Sequence, residues 1–295
     1  MTVIAQFALE LGGGVEFIHV HIDMKTPAEK AEAFWALHRR DDAFVIPNPW
    51  DAGSARMMVG MGFEALATSS AALAGTLGRK DYELKRDEAL AMARQIVEAV
   101  DVPVSADLEN GFGDSPETVA ETVRLAASIG LAGCSIEDAR GGAAPYEIGL
   151  ATERIKAAVE VVRGLPHRFV LTARSENFAR GVKDLGDTIE RLQAFESAGA
   201  DVLFPVGLPD LAAYRAVCAA LAKPVNGIAG IKGRTFTAEQ LAAAGVKRIS
   251  LATALWRVAM TALHEAALEV REKGTFEFGQ RAMGTVEISE TMRTG

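Results

Sequence analysis

Eight short, mostly apolar runs recur along the chain: Ala43–Pro47, Ala65–Thr68, Val102–Ala106, Gly133–Ile136, Phe169–Ala173, Val202–Pro205, Pro224–Asn226 and Arg248–Leu251. Such runs read as short buried strands. Most are followed by a loop and a stretch whose apolar residues recur at helical spacing, which buries one face of a helix. Pro116–Ile129 shows the helical half of the unit. Ser115 can cap it, Pro116 can start it, Val119, Val123 and Ala126 share one face, and Gly130 can stop it.

Strands alternating with helices predict an α/β fold with a parallel sheet, and eight of them predict a (β/α)₈ TIM-type barrel. An open doubly wound sheet is the rival. It usually has fewer strands and a glycine fingerprint after the first one. Gly60-Met61-Gly62-Phe63-Glu64-Ala65 matches that fingerprint letter by letter, but it follows a helix and precedes a strand, so the context is wrong. No linker interrupts the pattern, so residues 24–295 read as one barrel domain. Thr26-Pro27-Ala28-Glu29 has the form of a capping box with Pro at the first helical position, and the compact fold is expected to begin there. Residues 1–23 read as an N-terminal extension, unstructured or loosely packed. Its His19 and His21 are poor candidates for a metal site. The last predicted helix, about Ala252–Lys273, carries Leu255, Trp256, Val258, Leu263 and Leu268. That apolar surface predicts packing beyond one chain, hence a homo-oligomer.

Composition narrows the function. A hydrophobic fraction of 49% supplies a large core, and a net charge of −8 with no basic stripe argues against nucleic acid as a partner. No apolar run approaches the ~18 residues of a membrane helix. Two cysteines, Cys134 and Cys218, form neither a disulfide framework nor a zinc cluster, which points to a reducing, cytoplasmic setting.

Chemistry gathers at the predicted strand ends, where barrels keep their active sites. Asp107 and Glu109 end the third strand two residues apart. Residues two apart in a strand face one side, so both can point into one site, where their repulsion calls for a hard cation such as Mg²⁺. Glu137 and Asp138 end the fourth strand, Arg174 the fifth and Asn226 the seventh. Ser69, Ser70 and Ala71 follow the second, and their backbone N–H groups can cradle an anion. Asp81 lies in the same loop. Each of these alone has a plain alternative as a cap, a turn or an ion pair. Together they describe a site for a small, metal-chelating 2-oxo acid, with Arg174 as the fork for a carboxylate or phosphate. The glycines of Gly227–Gly233 follow the seventh strand, where many barrels bind phosphate, although a flexible loop explains them equally well.

These residues carry a resemblance. Asn48–Arg56 (NPWDAGSAR), Thr68–Ala74 (TSSAALA), Leu77–Asp81 (LGRKD), Asp107–Gly113 (DLENGFG), Ser135–Asp138 (SIED) and Thr172–Glu176 (TARSE) resemble the isocitrate lyase/phosphoenolpyruvate mutase superfamily. The resemblance implies a (β/α)₈ barrel whose last helix is swapped between subunits, usually in tetramers (dimers of dimers). It implies Mg²⁺ or Mn²⁺ and a small 2-oxo acid or dicarboxylate, with a C–C or P–C bond made or broken through an enolate. By the same resemblance Asp107 is the direct metal ligand, and Asp81, Glu109 and Glu137 hold metal-bound waters. Ser69, Ser70, Ala71 and Arg174 bind the substrate; Arg174, Glu137 and Asn226 are the catalytic candidates. Two departures stand out. Glu109 occupies a place where many members have Asp. The loop Ala139–Tyr146 lacks the cysteine and histidine of the lyase branches and the Lys-Thr-Asn run of the mutases, though its glycines suit a flexible lid. The expected function is a Mg²⁺-dependent lyase or decarboxylase of a small 2-oxo or 2-hydroxy carboxylate. The alternatives are a P–C bond enzyme (a phosphonopyruvate hydrolase or phosphorylmutase) and a non-catalytic 2-oxo acid binder.

Overall fold

The computed structural model describes Thr2–Leu11, Gly14–Asp23 and residues 25–293. β1 (Thr2–Leu11) and β2 (Gly14–Asp23) pair as an antiparallel hairpin, with Thr2 opposite Asp23 and Leu11 opposite Gly14. An unstructured extension was expected here, and the paired backbone corrects that. The hairpin joins neither of the other sheets. His19 and His21 fall in β2, and their side chains lie outside the described residues.

The capping box forms as expected. Glu29 N–H donates to Thr26 Oγ1 at 3.2 Å and Thr26 N–H donates to Glu29 Oε2 at 2.7 Å. These bonds satisfy donors that the first turn of α1 (Pro27–Arg39) would otherwise leave open.

All eight apolar runs contribute strands: β3 (Phe44–Ile46), β4 (Leu66–Ala67), β5 (Val104–Asp107), β6 (Gly133–Glu137), β7 (Val170–Ser175), β8 (Val202–Pro205), β9 (Asn226–Ile228) and β10 (Arg248–Ser250). They form two curled parallel sheets, one ordered β4-β5-β6-β7-β8 and the other β3-β10-β9. Two backbone contacts run between the sheets. Ala67 N–H donates to Pro47 O at 3.0 Å, and Leu203 N–H donates to Pro224 O at 3.0 Å beside a parallel Leu203–Val225 bridge.

The core has two parts. The larger packs Val104, Ile136, Leu171, Leu203 and Ile249 with helix residues such as Val119, Val123, Ile155 and Phe195. The smaller sets Ala31, Phe34 and Leu37 of α1 against Phe44, Ala65, Ala132, Val170 and Val202. Those five lie at or just before the first residues of their strands. α1 therefore covers the N-terminal end of the sheets, and the opposite end stays open for chemistry. The last long helix, Ala254–Lys273, has no buried residue; Val258 and Leu263 are 67% and 61% exposed. Its first turn is anchored by Trp256, whose ring lies so near Gly75 that a Cβ there would sit 2.3 Å from it.

Candidate active site

Strand register assembles the site. β6 sets Glu137 opposite Arg174 of β7, and β5 sets Asp107 opposite Ser135. Asp107, Ser135 and Arg174 face one cavity of about 230 Å³, which Ser69, Ser70, Ala71, Asp81 and Asn226 also line. An outer cleft of about 560 Å³ adjoins it, lined by Tyr82, Glu109, Asn110, Asp114 and Arg140.

Arg174 is the hub. Its Nε donates to Glu176 Oε1 at 2.5 Å, Nη2 lies 3.2 Å from Glu137 Oε2, and Nη1 lies 3.3 Å from Asp107 Oδ1. Burial opposes its charge, but Glu176, Glu137 and Asp107 together more than offset that, and its pKa is raised. The fork is thus always charged and fixed in direction.

Asp107 is held from several sides. Its N–H donates to Thr68 Oγ1 at 3.0 Å, and Oδ2 accepts from Ser70 N–H at 3.3 Å. The Ser70 hydroxyl lies 3.0 Å from Asp81 Oδ1 and 3.2 Å from Asp107 Oδ2, so one proton serves both acids. Ser69 caps α2 (Ser70–Thr76) by accepting from Ala72 N–H at 3.5 Å. The expected anion cradle is therefore the first turn of a short helix, with one of its N–H groups engaged by Asp107.

Glu109 reaches the site by another route than strand alternation. β5 ends at Asp107, and Glu109 adopts a left-handed backbone with φ +50°, its N–H donating to Asp107 Oδ1 at 3.2 Å. A turn, continued by Gly111 at φ +79°, sets its direction. Tyr82 at φ +67° and Ala252 at φ +46° also border the site, a concentration of strained backbone typical of functional regions.

The acids are short of positive charge. Burial raises Glu109 to about 8, with Asp107 and Asp81 adding repulsion. Burial also raises Glu137 to about 8; Arg174 opposes this and Glu176 reinforces it. Asp81 is raised by burial and by Asp107. Among the described residues Glu109 Oε1 and Glu137 Oε1 are buried without a hydrogen bond, although Arg180 lies 3.6 Å from Glu137 Oε1. Bare carboxylate oxygens near unneutralised acids suit a hard divalent cation. Among the described residues no three His, Cys, Asp or Glu side chains are spaced to hold an ion together. A single direct ligand, with the other acids acting through water, is compatible with that spacing.

Asn226 differs from expectation. It opens β9 instead of ending it, so its side chain sits deeper. Its Oδ1 accepts from Arg248 Nε at 2.7 Å and its Nδ2 donates to Ser250 Oγ at 3.0 Å, and it still lines the cavity. The lid is pinned as well. Ala139 pairs with Pro145, Arg140 reaches Asp114 at 3.0 Å, and Tyr146 OH donates to Asp114 Oδ1 at 2.7 Å.

Sequence reading missed Tyr82, Arg180 and Arg248. Arg180 contacts the Tyr82 hydroxyl and lies 3.6 Å from Glu137 Oε1. Nothing local marks Tyr82, because a loop delivers it. Arg248 carried a usable signal: it is a charge within an apolar strand run.

A family model for phosphoenolpyruvate phosphomutase matches residues 34–271. The chain belongs to the isocitrate lyase/PEP mutase superfamily. It is an enzyme of that superfamily. It is 31% identical to the 2-methylisocitrate lyase of Escherichia coli (strain K12), over 83% of this chain and 85% of that one. A Burkholderia cenocepacia J2315 crystal structure, provisionally assigned as a lyase/mutase, shares 51% identity at a TM-score of 0.87, covering 89% of this chain and 95% of that one. Oxaloacetate acetylhydrolase, solved with the inhibitor 3,3-difluorooxaloacetate, shares 27% identity at a TM-score of 0.81, covering 91% and 94%.

Proposed function

We propose that this chain is a Mg²⁺- or Mn²⁺-dependent enzyme that cleaves a C–C bond next to the carbonyl of a small 2-oxo or 2-hydroxy carboxylate. The observation that carries this reading is Arg174 held between Asp107 and Glu137 at the cavity, beside the Glu109 Oε1 that has no hydrogen-bond partner among the described residues. Asp107 is the direct metal ligand, and Asp81, Glu109 and Glu137 hold its waters. A cation held there would supply Lewis-acid stabilisation of negative charge developing on the substrate.

The chain's own residues do the rest. Ser69, Ser70 and Ala71 present backbone donors to the substrate carboxylate. Arg174 orients the ligand as a planar, always-charged fork. Glu137 can carry a proton near neutral pH, with Arg180 3.6 Å from its Oε1. Ala139–Tyr146 excludes water over the outer cleft. That loop supplies neither the cysteine of the lyase branches nor a histidine, which favours one second reading, P–C bond chemistry as in the phosphomutase family.

The wider architecture follows the same proposal. Residues 24–295 form one domain, and the contacts at Pro47–Ala67 and Leu203–Val225 support closure of the two sheets into an eight-stranded barrel. The exposed apolar face of Ala254–Lys273 is covered by exchange with another copy, giving a homo-oligomer built as a dimer of dimers. A cytoplasmic setting suits the two unpaired cysteines. The test is turnover of oxaloacetate, 2-methylisocitrate, 2,3-dimethylmalate and phosphonopyruvate with and without Mg²⁺. Metal-dependent carbon products support the proposal; phosphate release supports the P–C reading; no metal-dependent turnover removes both.

A further inference from the structure

Below the acidic cluster, the cavity wall is unusually polar for a barrel interior, where branched apolar side chains commonly pack in layers. Ser105, Ser135, Asn226, Ser250 and Arg248 line it. Arg248 is only 5% exposed. Its contacts are all to neutral groups: Nε donates to Asn226 Oδ1 at 2.7 Å, Nη2 to Thr172 Oγ1 at 2.9 Å, and Nη1 lies 3.5 Å from His38 Nε2. His38 is neutral too. Its Nδ1 donates to Phe34 O at 2.8 Å, which leaves Nε2 as an acceptor, and burial together with Arg248 holds its pKa down at about 3.

Other deeply set arginines of this chain are treated differently. Arg174 meets three carboxylates, and Arg191 meets Asp138 and Asp187. Arg248 meets none among the described residues, and burial alone lowers its pKa to about 9. A buried charge without a counter-charge is costly, and an anionic group at this end of the cavity would supply one. The cavity that ends on Arg248 is the one that begins at Asp107 and Arg174. Thr172, which holds Arg248, precedes Arg174 by two residues on β7. One such step along a strand is roughly 7 Å, so Arg248 is held about one strand step below the Asp107 end.

We propose that Arg248, positioned by Asn226, Thr172 and His38, receives a second anionic group of the substrate, which selects a 2-oxo or 2-hydroxy dicarboxylate over a monocarboxylate. This rests on the function proposed above: the first carboxylate and the carbonyl oxygen sit at the Asp107 end, and the second carboxylate enters the inner end of the same cavity. Arg248 is thus a specificity-determining residue outside the acidic cluster.

Two probes separate the ends. Oxalate, with two carbons, fills only the Asp107 end, whereas 3,3-difluorooxaloacetate carries a distal carboxylate. Calorimetry with Mg²⁺ compares wild type with Arg248→Gln and Arg248→Lys. The expected result is that Arg248→Gln keeps oxalate affinity within about twofold and loses roughly 10- to 100-fold for difluorooxaloacetate, the worth of one charge-assisted hydrogen bond. Arg248→Lys recovers part of that loss. Equal losses for both probes, or none, overturn the role of Arg248 while leaving the proposed function standing. Failure of wild type to bind oxalate with Mg²⁺ overturns both. If Arg248→Gln does not fold, a wild-type crystal soaked with Mg²⁺ and difluorooxaloacetate decides. A distal carboxylate within hydrogen-bond distance of Arg248 supports the proposal, and one turned toward Ala139–Tyr146 overturns it.

Discussion

Ser70 binds Asp107 twice, through its backbone N–H at 3.3 Å and its hydroxyl at 3.2 Å, both to Oδ2. The same hydroxyl also reaches Asp81. One small residue thus joins the predicted anion cradle to the predicted metal ligand. A cation at Asp107 and a carboxylate on the cradle would compete with these contacts, so the metal and the substrate should bind as a linked pair.

The first prediction concerns that link. Asp107→Ala should abolish Mg²⁺-dependent oxalate binding, a loss of at least about 100-fold, with the melting temperature unchanged or slightly raised. The fold should hold because the removed carboxylate belongs to an excess of negative charge, while the backbone bond to Thr68 remains. Calorimetry and thermal melts check it. Undiminished affinity would remove Asp107 from the metal site.

Arg174 leads to a second prediction. Arg174→Met leaves the carboxylates of Asp107, Glu137 and Glu176 without their common partner, and should cost about 3–5 kcal/mol in urea unfolding. Arg174→Lys keeps the charge but loses the planar fork. It should fold with a smaller deficit and still lose roughly 100-fold or more in kcat/KM. A lysine variant with full activity would rule out the orienting role.

A pH dependence follows from Glu109 and Glu137, each raised to about 8 from an ordinary carboxylate value near 4.5. Between those values the folded protein holds protons that the unfolded chain has lost. The stability of the metal-free protein should therefore fall as pH rises from about 4.5 to about 8, then level off. Mg²⁺ must displace the same protons, so its stabilising effect should grow across that window. Melting temperatures with and without Mg²⁺ test both trends, and a flat Mg²⁺ effect from pH 5 to 8 contradicts the assignment.

The N-terminal floor of the parallel sheets supplies a control. Phe34 is fully buried among the first residues of the strands, and Phe34→Ala should cost about 3–5 kcal/mol. Its effect on oxalate affinity per folded molecule should be small, because α1 covers the end opposite Asp107. A large loss of affinity in well-folded protein would show that the floor shapes the site.

By itself the sequence determined the eight strand runs, the helix from Pro116 and the capping box at Thr26, because these depend on local hydrophobic period and local hydrogen bonds. It also placed Asp107, Glu137 and Arg174 at strand ends, where alternation and register carry them to one cavity. Tertiary structure decided the rest. Glu109 is aimed by a left-handed turn, and no strand period encodes that. Asn226 lies deeper than its run suggested because pairing with β10 sets where β9 begins. Tyr82 and Arg180 meet 98 residues apart in sequence, through loops whose course no local pattern fixes. Arg248 was visible as a charge in an apolar run, but its lack of an acidic partner exists only once every neighbour is in place. Secondary structure follows from contacts a few residues apart, whereas the charge balance of a cavity depends on all the elements that wall it.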